Sequence, residues 1–133
     1  MLFDQSYPDL NGADQPMQNW RGRSVVVNFW ATWCPPCVKE MPDLEALSHK
    51  YTNIAFIGLG VDTAANMRHF LPKVQVTYDL LVVGYGGIEL MKQLGNTTGG
   101  LPFTLIFNQE GRLVERILGQ IKPQALDELL ARL

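Results

Sequence analysis

From Val25 to Trp30 the chain carries bulky apolar side chains at alternating and non-alternating positions alike, with Asn28 the one polar interruption. A strand that is apolar on both faces fits only the middle of a sheet covered on both sides. This strand runs almost directly into Cys34-Pro35-Pro36-Cys37, which holds the only two cysteines in the chain. Two adjacent prolines suit the first turn of a helix, where backbone N–H groups have no partner to lose. A buried central strand that delivers a cysteine pair to a helix start is the feature around which the remaining chain must be arranged.

The 133 residues suit one domain with a core of its own, and a formal charge of −2 offers no basic face for nucleic acid. No apolar run approaches the roughly 20 residues that span a bilayer. The start, Met1-Leu2-Phe3-Asp4, lacks the regions of a signal peptide, so any export signal is expected to be absent or already removed. There is no internal repeat, low-complexity segment or linker.

Phe3 to Trp20 reads as a short hairpin or irregular lead-in with a tight turn at Asn11-Gly12. Ser24 to Ala31 is the central strand. Cys34 to Tyr51 is helical, with Cys37, Met41, Leu44 and Leu47 as its buried stripe and a kink expected at Pro42. Ile54 to Val61 is a second strand, Ala64 to Leu71 a short helix, Val76 to Val83 an extended segment, and Ile88 to Leu94 a further helical piece. Phe103 to Phe107 and Leu113 to Leu118 form a hairpin across Gln109-Glu110-Gly111. Lys122 to Leu133 closes the chain as an amphipathic helix with Leu126, Leu129, Leu130 and Leu133 inward. Strands alternating with helices, then a hairpin and a helix, predict an α/β sheet flanked by helices.

The two cysteines make a poor structural staple, because closing a two-residue loop hardly constrains the unfolded chain. Redox chemistry, half of a metal site, or coincidence remain. At a helix N-terminus the free N–H groups and the helix dipole favour a thiolate at Cys34. Cys34 is expected to expose its sulfur, and Cys37, one turn on, to be more buried. That asymmetry makes Cys34 the nucleophile toward a disulfide and Cys37 the group that resolves the mixed disulfide. A zinc site needs further ligands, and His49 lies about 18 Å beyond Cys37 on the same helix. His69 has no ligating neighbours in sequence. Glu40, three residues past Cys37, shares the cysteine face; it is either part of the chemistry or a surface glutamate paired with Lys39 or Arg23.

Val27-Asn28-Phe29-Trp30-Ala31-Thr32-Trp33-Cys34-Pro35-Pro36-Cys37 resembles the active-site segment of the thioredoxin superfamily. With Lys39-Glu40-Met41-Pro42, Gly100-Leu101-Pro102-Phe103-Thr104-Leu105-Ile106-Phe107 and Glu110-Gly111-Arg112, it is similar to the TlpA/ResA-like thiol-disulfide oxidoreductases and the cytochrome c maturation thioredoxins. The resemblance is least sharp from Asp62 to Gly100. It implies a thioredoxin fold: a mixed central β-sheet flanked by helices, with an N-terminal extension and a central strand–helix insertion. It further implies an extracytoplasmic protein, periplasmic in many bacteria, tethered through an N-terminal segment absent from this chain.

Residue by residue, the resemblance implies a proton-handling role for Glu40 beneath the cysteines. Where typical thioredoxins carry a buried aspartate, this chain has Asn28, which cannot take up a proton and shifts that task toward Glu40; the alternative is a buried amide satisfied by backbone partners. Leu101-Pro102 resembles the family's cis-proline platform, with the Leu101 backbone offered to a substrate strand. Phe103 is bulkier than the threonine common there. Trp33, Pro35, Pro36, Leu101 and Pro102 are the expected substrate-facing residues, whereas Trp30 reads as core and Tyr85 as a loop aromatic.

The expected function is thiol-disulfide exchange through Cys34 and Cys37, in the direction of reducing protein disulfides, with no cofactor beyond the cysteines. Expected partners are proteins with cysteine pairs, such as an apocytochrome or copper-protein precursor, and a membrane thiol-reducing electron donor; the chain is expected to act as a monomer. A Cu(I)-binding module, with Met41 as a conceivable third soft ligand, is the alternative. A thiol peroxidase on the same fold fits the proline-flanked Cys-x-x-Cys less well.

Overall fold

The computed structural model describes residues 2–133. All six residues of β3, Val25–Trp30, are buried. They are flanked by β4, Ala55–Gly60, in parallel and by β6, Phe103–Phe107, in antiparallel pairing. β5, Asp79–Val82, extends the sheet beyond β4, and β7, Leu113–Leu118, extends it beyond β6, giving the order β5-β4-β3-β6-β7. Four helices accompany this mixed sheet: α1, Pro35–Lys50; α2, Ala64–Phe70; α3, Gly87–Gln93; and α4, Pro123–Ala131. The unit expected between Asp62 and Gly100 is present, with α2 and β5 adding an edge strand between β4 and α3.

The two-residue period of β3 sorts its side chains between two cores. Val25, Val27 and Phe29 join Ile57, Leu59, Phe103, Leu105, Met17 and Met91 on one face. Val26 joins Leu44 and Leu47 of α1, Ile106, and Leu126 and Leu130 of α4 on the other. Asn28 and Trp30 share the parity of Val26, so the one polar residue of the strand is directed at α1. Helix α1 continues through Pro42. An internal proline costs about 3 kcal/mol, and full burial of residues such as Met41, Leu44 and Leu47 contributes about 1.5–3 kcal/mol each. The buried stripe on either side of Pro42 outweighs the missing bond.

The N-terminal extension is a hairpin, β1 Ser6–Pro8 with β2 Asp14–Pro16, bridged to β5 by Asp9 and Leu81. Its connection is wider than the expected two-residue turn. Asp9 Oδ1 accepts the N–H groups of Asn11 and Ala13, and Gly12 takes φ 85°, open to glycine at no steric cost. The β6–β7 hairpin is built alike, with Asn108 Oδ1 accepting from Glu110 and Arg112 and Gly111 in the left-handed region.

Two other expectations shift. The extended segment from Val76 forms strand only from Asp79, because Thr77 gives its N–H and hydroxyl to the Glu45 carboxylate on α1 instead of to the sheet. In α4 the inner face is Leu126 and Leu130, with Leu129 half-buried; Leu133 lies past the helix end and is exposed.

Candidate active site

The helix start explains the behaviour of the cysteines. Pro35 and Pro36 occupy the first two positions of α1 and carry no N–H, so the first helical amide able to donate belongs to Cys37. It points at Cys34 Sγ, 3.4 Å away, and Cys34 is the N-cap residue. The two sulfurs are joined as a disulfide. Once that bond is reduced, the same N–H and the helix terminus face a Cys34 thiolate, which lowers the cost of ionising it. The expected asymmetry holds in order but not in degree. Cys34 shows 6 % of its surface and Cys37 none, so Cys34 offers a narrow face rather than a freely exposed sulfur. Trp33 beside it is 55 % exposed, and Pro35 and Pro36 are exposed as well.

The loop that carries Cys34 is fixed by a residue that the sequence reading passed over. Asp62, at the end of β4, accepts the N–H and hydroxyl of Thr32 through Oδ2, at 2.9 and 2.6 Å. Its Oδ1 accepts from Thr63 N–H and Asn66 Nδ2. Burial alone would push the Asp62 carboxyl up; the donors from Thr32, Asn66 and Thr63 outweigh it and hold it below the usual aspartate range. The readable signal was an aspartate closing an apolar strand immediately before Thr63, the N-cap of α2.

Three residues past Cys37 on α1 begins a closed polar group. Glu40 is wholly buried on α1 and forms no ion pair with Lys39 or Arg23 among the described residues. Its Oε1 accepts from Asn28 Nδ2 at 2.7 Å, and its Oε2 accepts from the Ile121 N–H at 2.8 Å. Burial pushes its carboxyl above the usual glutamate range; the two donors pull back only in part, and Asp43 adds to the rise. Asn28 also donates to Thr104 Oγ1 at 3.0 Å, so its partners are side chains rather than backbone groups. Thr104 and Ile121 could not be found from sequence, because both reach Glu40 or Asn28 from strands and loops far along the chain.

The Leu101–Pro102 peptide bond is cis. Leu101 packs against the cluster of Trp30, Ala31, Cys34, Cys37, Met41 and Met67, which brings the platform segment to the disulfide. Among the described residues no hydrogen bond engages the Leu101 N–H or C=O. Asn96, buried at the end of α3, holds the preceding turn through Nδ2 to the Gly100 carbonyl at 2.8 Å, and Gly119 N–H anchors the Pro102 carbonyl. His49 is engaged by Glu45 and Thr77, away from the cysteines. No group of three or more His, Cys, Asp or Glu suited to a metal occurs among the described residues.

A sequence model of the Redoxin family matches residues 4–131. The chain belongs to that family. This redoxin is 30 % identical over 128 residues to the thiol-disulfide oxidoreductase ResA of Bacillus thuringiensis subsp. konkukian, covering 94 % of this chain and 72 % of the relative. The solved thioredoxin-related protein of Neisseria meningitidis serogroup B superposes with a TM-score of 0.81 at 29 % identity, covering 97 % of this chain and all of that one. A secreted disulfide oxidoreductase of Mycobacterium tuberculosis shares the fold, with a TM-score of 0.83 at 20 % identity over 98 % of this chain and 97 % of that one. The redoxin is a TlpA/ResA-like member of the thioredoxin superfamily and a thiol-disulfide oxidoreductase working through Cys34 and Cys37.

Proposed function

We propose that this redoxin reduces protein disulfides in an extracytoplasmic compartment, acting as a single thioredoxin-like monomer. The observation that carries the reading is the pairing of a narrowly accessible Cys34 with a fully buried Cys37 one turn above a buried Glu40. The Cys34 thiolate attacks one sulfur of the substrate disulfide, forming a mixed disulfide and releasing the other sulfur as a thiolate. Cys37 gives its proton to Glu40 and attacks Cys34 Sγ. The substrate leaves as a dithiol with two electrons gained, and the Cys34–Cys37 disulfide returns. A thiol-based donor at the membrane then restores the dithiol. Trp33, Pro35, Pro36 and the Leu101 backbone beside Pro102 form the surface on which a substrate strand lies.

The similarity to ResA and to a secreted disulfide oxidoreductase supports an extracytoplasmic setting. No helix among the described residues is long and apolar enough to cross a membrane; tethering at the membrane is part of the proposal. A cysteine pair in a cytochrome c or copper-protein precursor is the client class we favour. The reduction potential of the Cys34–Cys37 couple tests the direction: a value near about −270 mV supports a reductant, whereas one near about −120 mV makes the protein an oxidant and overturns the reading. A Cys37→Ser variant is expected to accumulate the mixed disulfide with a protein substrate, and Cys34→Ser to form none.

A second reading, Cu(I) held by the reduced cysteines, has one observation in its favour. The thioethers of Met41 and Met67 pack in the same cluster as both sulfurs. Stoichiometric Cu(I) binding by the reduced protein, without disulfide reductase activity, would favour it.

A further inference from the structure

The amide of Asn28 is buried and unevenly used. Both hydrogens of Nδ2 are engaged, one by Glu40 Oε1 and one by Thr104 Oγ1, while Oδ1 is buried with no partner. This arrangement suits a Glu40 whose Oε1 carries no proton. An ionised carboxylate accepts the Nδ2 hydrogen; a carboxyl protonated on Oε1 presents a hydrogen of its own to that nitrogen. A half-turn of the amide about its terminal torsion carries Nδ2 to the buried position where Oδ1 has no partner, a cost the new bonds must exceed. It removes the conflict between two donors, because Oδ1 then stands where Nδ2 stood. Its two lone pairs accept from Glu40 Oε1–H and from the Thr104 hydroxyl, which turns from acceptor to donor. Asparagine and threonine can both reverse in this way; an aspartate or a valine cannot.

We infer that Asn28 and Thr104 form a reversible hydrogen-bond switch that follows the protonation of Glu40 and keeps its carboxyl positioned for proton exchange with Cys37. This rests on the proton-carrying reading of Glu40 and extends it to two positioning residues. In the forward step the Cys37 S–H bond breaks and the Glu40 O–H bond forms, the amide turns, and Thr104 redirects its hydroxyl. Returning the proton reverses each movement, with no electron transferred. Oε2 keeps the Ile121 N–H throughout.

The surroundings leave this pair to govern Glu40. From α1 itself the charged neighbour is Asp43, which disfavours ionisation, and the two cysteines share that helix face. From the segment entering β5 comes Tyr78, half-buried with its hydroxyl enclosed, a phenol that burial, then Glu40 and Glu45, keep protonated. From β3 and β6 come only the neutral Asn28 and Thr104, and from the start of the α4 approach only the Ile121 amide. Among the described residues no cation pairs with Glu40. An aspartate in place of Asn28 would set a second carboxylate against the first, and the two would compete for one proton.

Side-chain NMR of the reduced, isotope-labelled full chain tests the switch without any variant. The Glu40 carboxyl carbon and the Asn28 amide nitrogen should titrate with one midpoint. Proximity of the Asn28 NH2 hydrogens to the Thr104 methyl should be present above it and lost below. Thr104→Val should raise the midpoint by about half a pH unit, since an unpaired buried N–H in the ionised state costs more than an unpaired carbonyl lone pair in the protonated one. Thr104→Ser should restore it. A fixed Asn28 donor would lose its Thr104 bond equally in both states, so an unmoved midpoint in Thr104→Val overturns the switch. Amide contacts that persist on both sides of the midpoint overturn it too, even where Glu40→Gln alters the pH profile of Cys37 and so leaves Glu40's own role standing. A Glu40→Gln profile identical to the parent's would strike the proton-carrying role instead.

Discussion

Asp62 Oδ2 receives both the backbone N–H and the hydroxyl of Thr32, so one carboxylate at the end of β4 fixes the segment that presents Cys34. Asp62→Asn keeps the shape and leaves a single acceptor for four donors. We expect a loss of about 1–3 kcal/mol at neutral pH in denaturant unfolding, with slower attack by Cys34. The folded carboxyl is held below its ordinary value of 3.8. Its contribution is therefore complete above that value and is lost as pH falls through the folded one. The gap between parent and variant should close over that acidic interval; a gap that does not narrow there would contradict the account.

Glu40 has the opposite sign. Its carboxyl is raised above the ordinary value of 4.5, so the folded state holds the proton to higher pH than the unfolded chain does. The parent should lose stability as pH rises from the ordinary value through the folded one. Glu40→Gln can satisfy the Ile121 N–H and Asn28 without ionising, and should show a flat profile there, matching or exceeding the parent at neutral pH. Its resolution step should slow by roughly 100-fold or more, in keeping with loss of a general base. Unfolding curves across this range and single-turnover release of the mixed disulfide measure the two effects.

Asn96 holds the Gly100 carbonyl one residue before Leu101. Asn96→Ala removes that bond and loosens the platform without touching the cysteines. KM for a protein disulfide should rise by up to about tenfold, the equivalent of one hydrogen bond, while exchange with a small aromatic disulfide stays near the parent rate. Equal losses on both substrates would show that Asn96 acts on the cysteines instead.

Gly60, the last residue of β4, faces the thioether end of Met67 so closely that a Cβ there would overlap it. Gly60→Ala should cost about 1–3 kcal/mol by overpacking. Met67→Val in the same background should recover part of it, because the atoms in conflict are gone. Thermal unfolding of the single and double variants decides whether the clash is the cause.

The chemistry was legible because it is local. The strand from Val25 to Trp30, the helix-start prolines and the two cysteines lie within one short stretch, where periodicity and capping rules act on neighbours in sequence. Glu40 could be placed on the cysteine face by helical spacing alone, and the cis Leu101–Pro102 bond agrees with the family resemblance. Asn11-Gly12 marks the turn but not its width, since the Asp9 side chain, not the dipeptide, organises that loop. Extending the helical period places Leu133 inward, past the point where the helix stops.

What the sequence determined by itself is the reaction centre: a central strand buried on both faces, and a Cys34–Cys37 pair at a helix start that favours a thiolate. The tertiary structure alone decided what surrounds it. Asp62 meets Thr32 because β4 pairs in parallel with β3, and Thr104 meets Asn28 because β6 lies in register on its other side. Ile121 completes the Glu40 carboxylate from beyond the final hairpin. These partners depend on strand register and on which face each residue turns toward α1, and both are settled by packing the whole sheet. Hydrogen bonds carry no signature in sequence until that packing brings their two ends together.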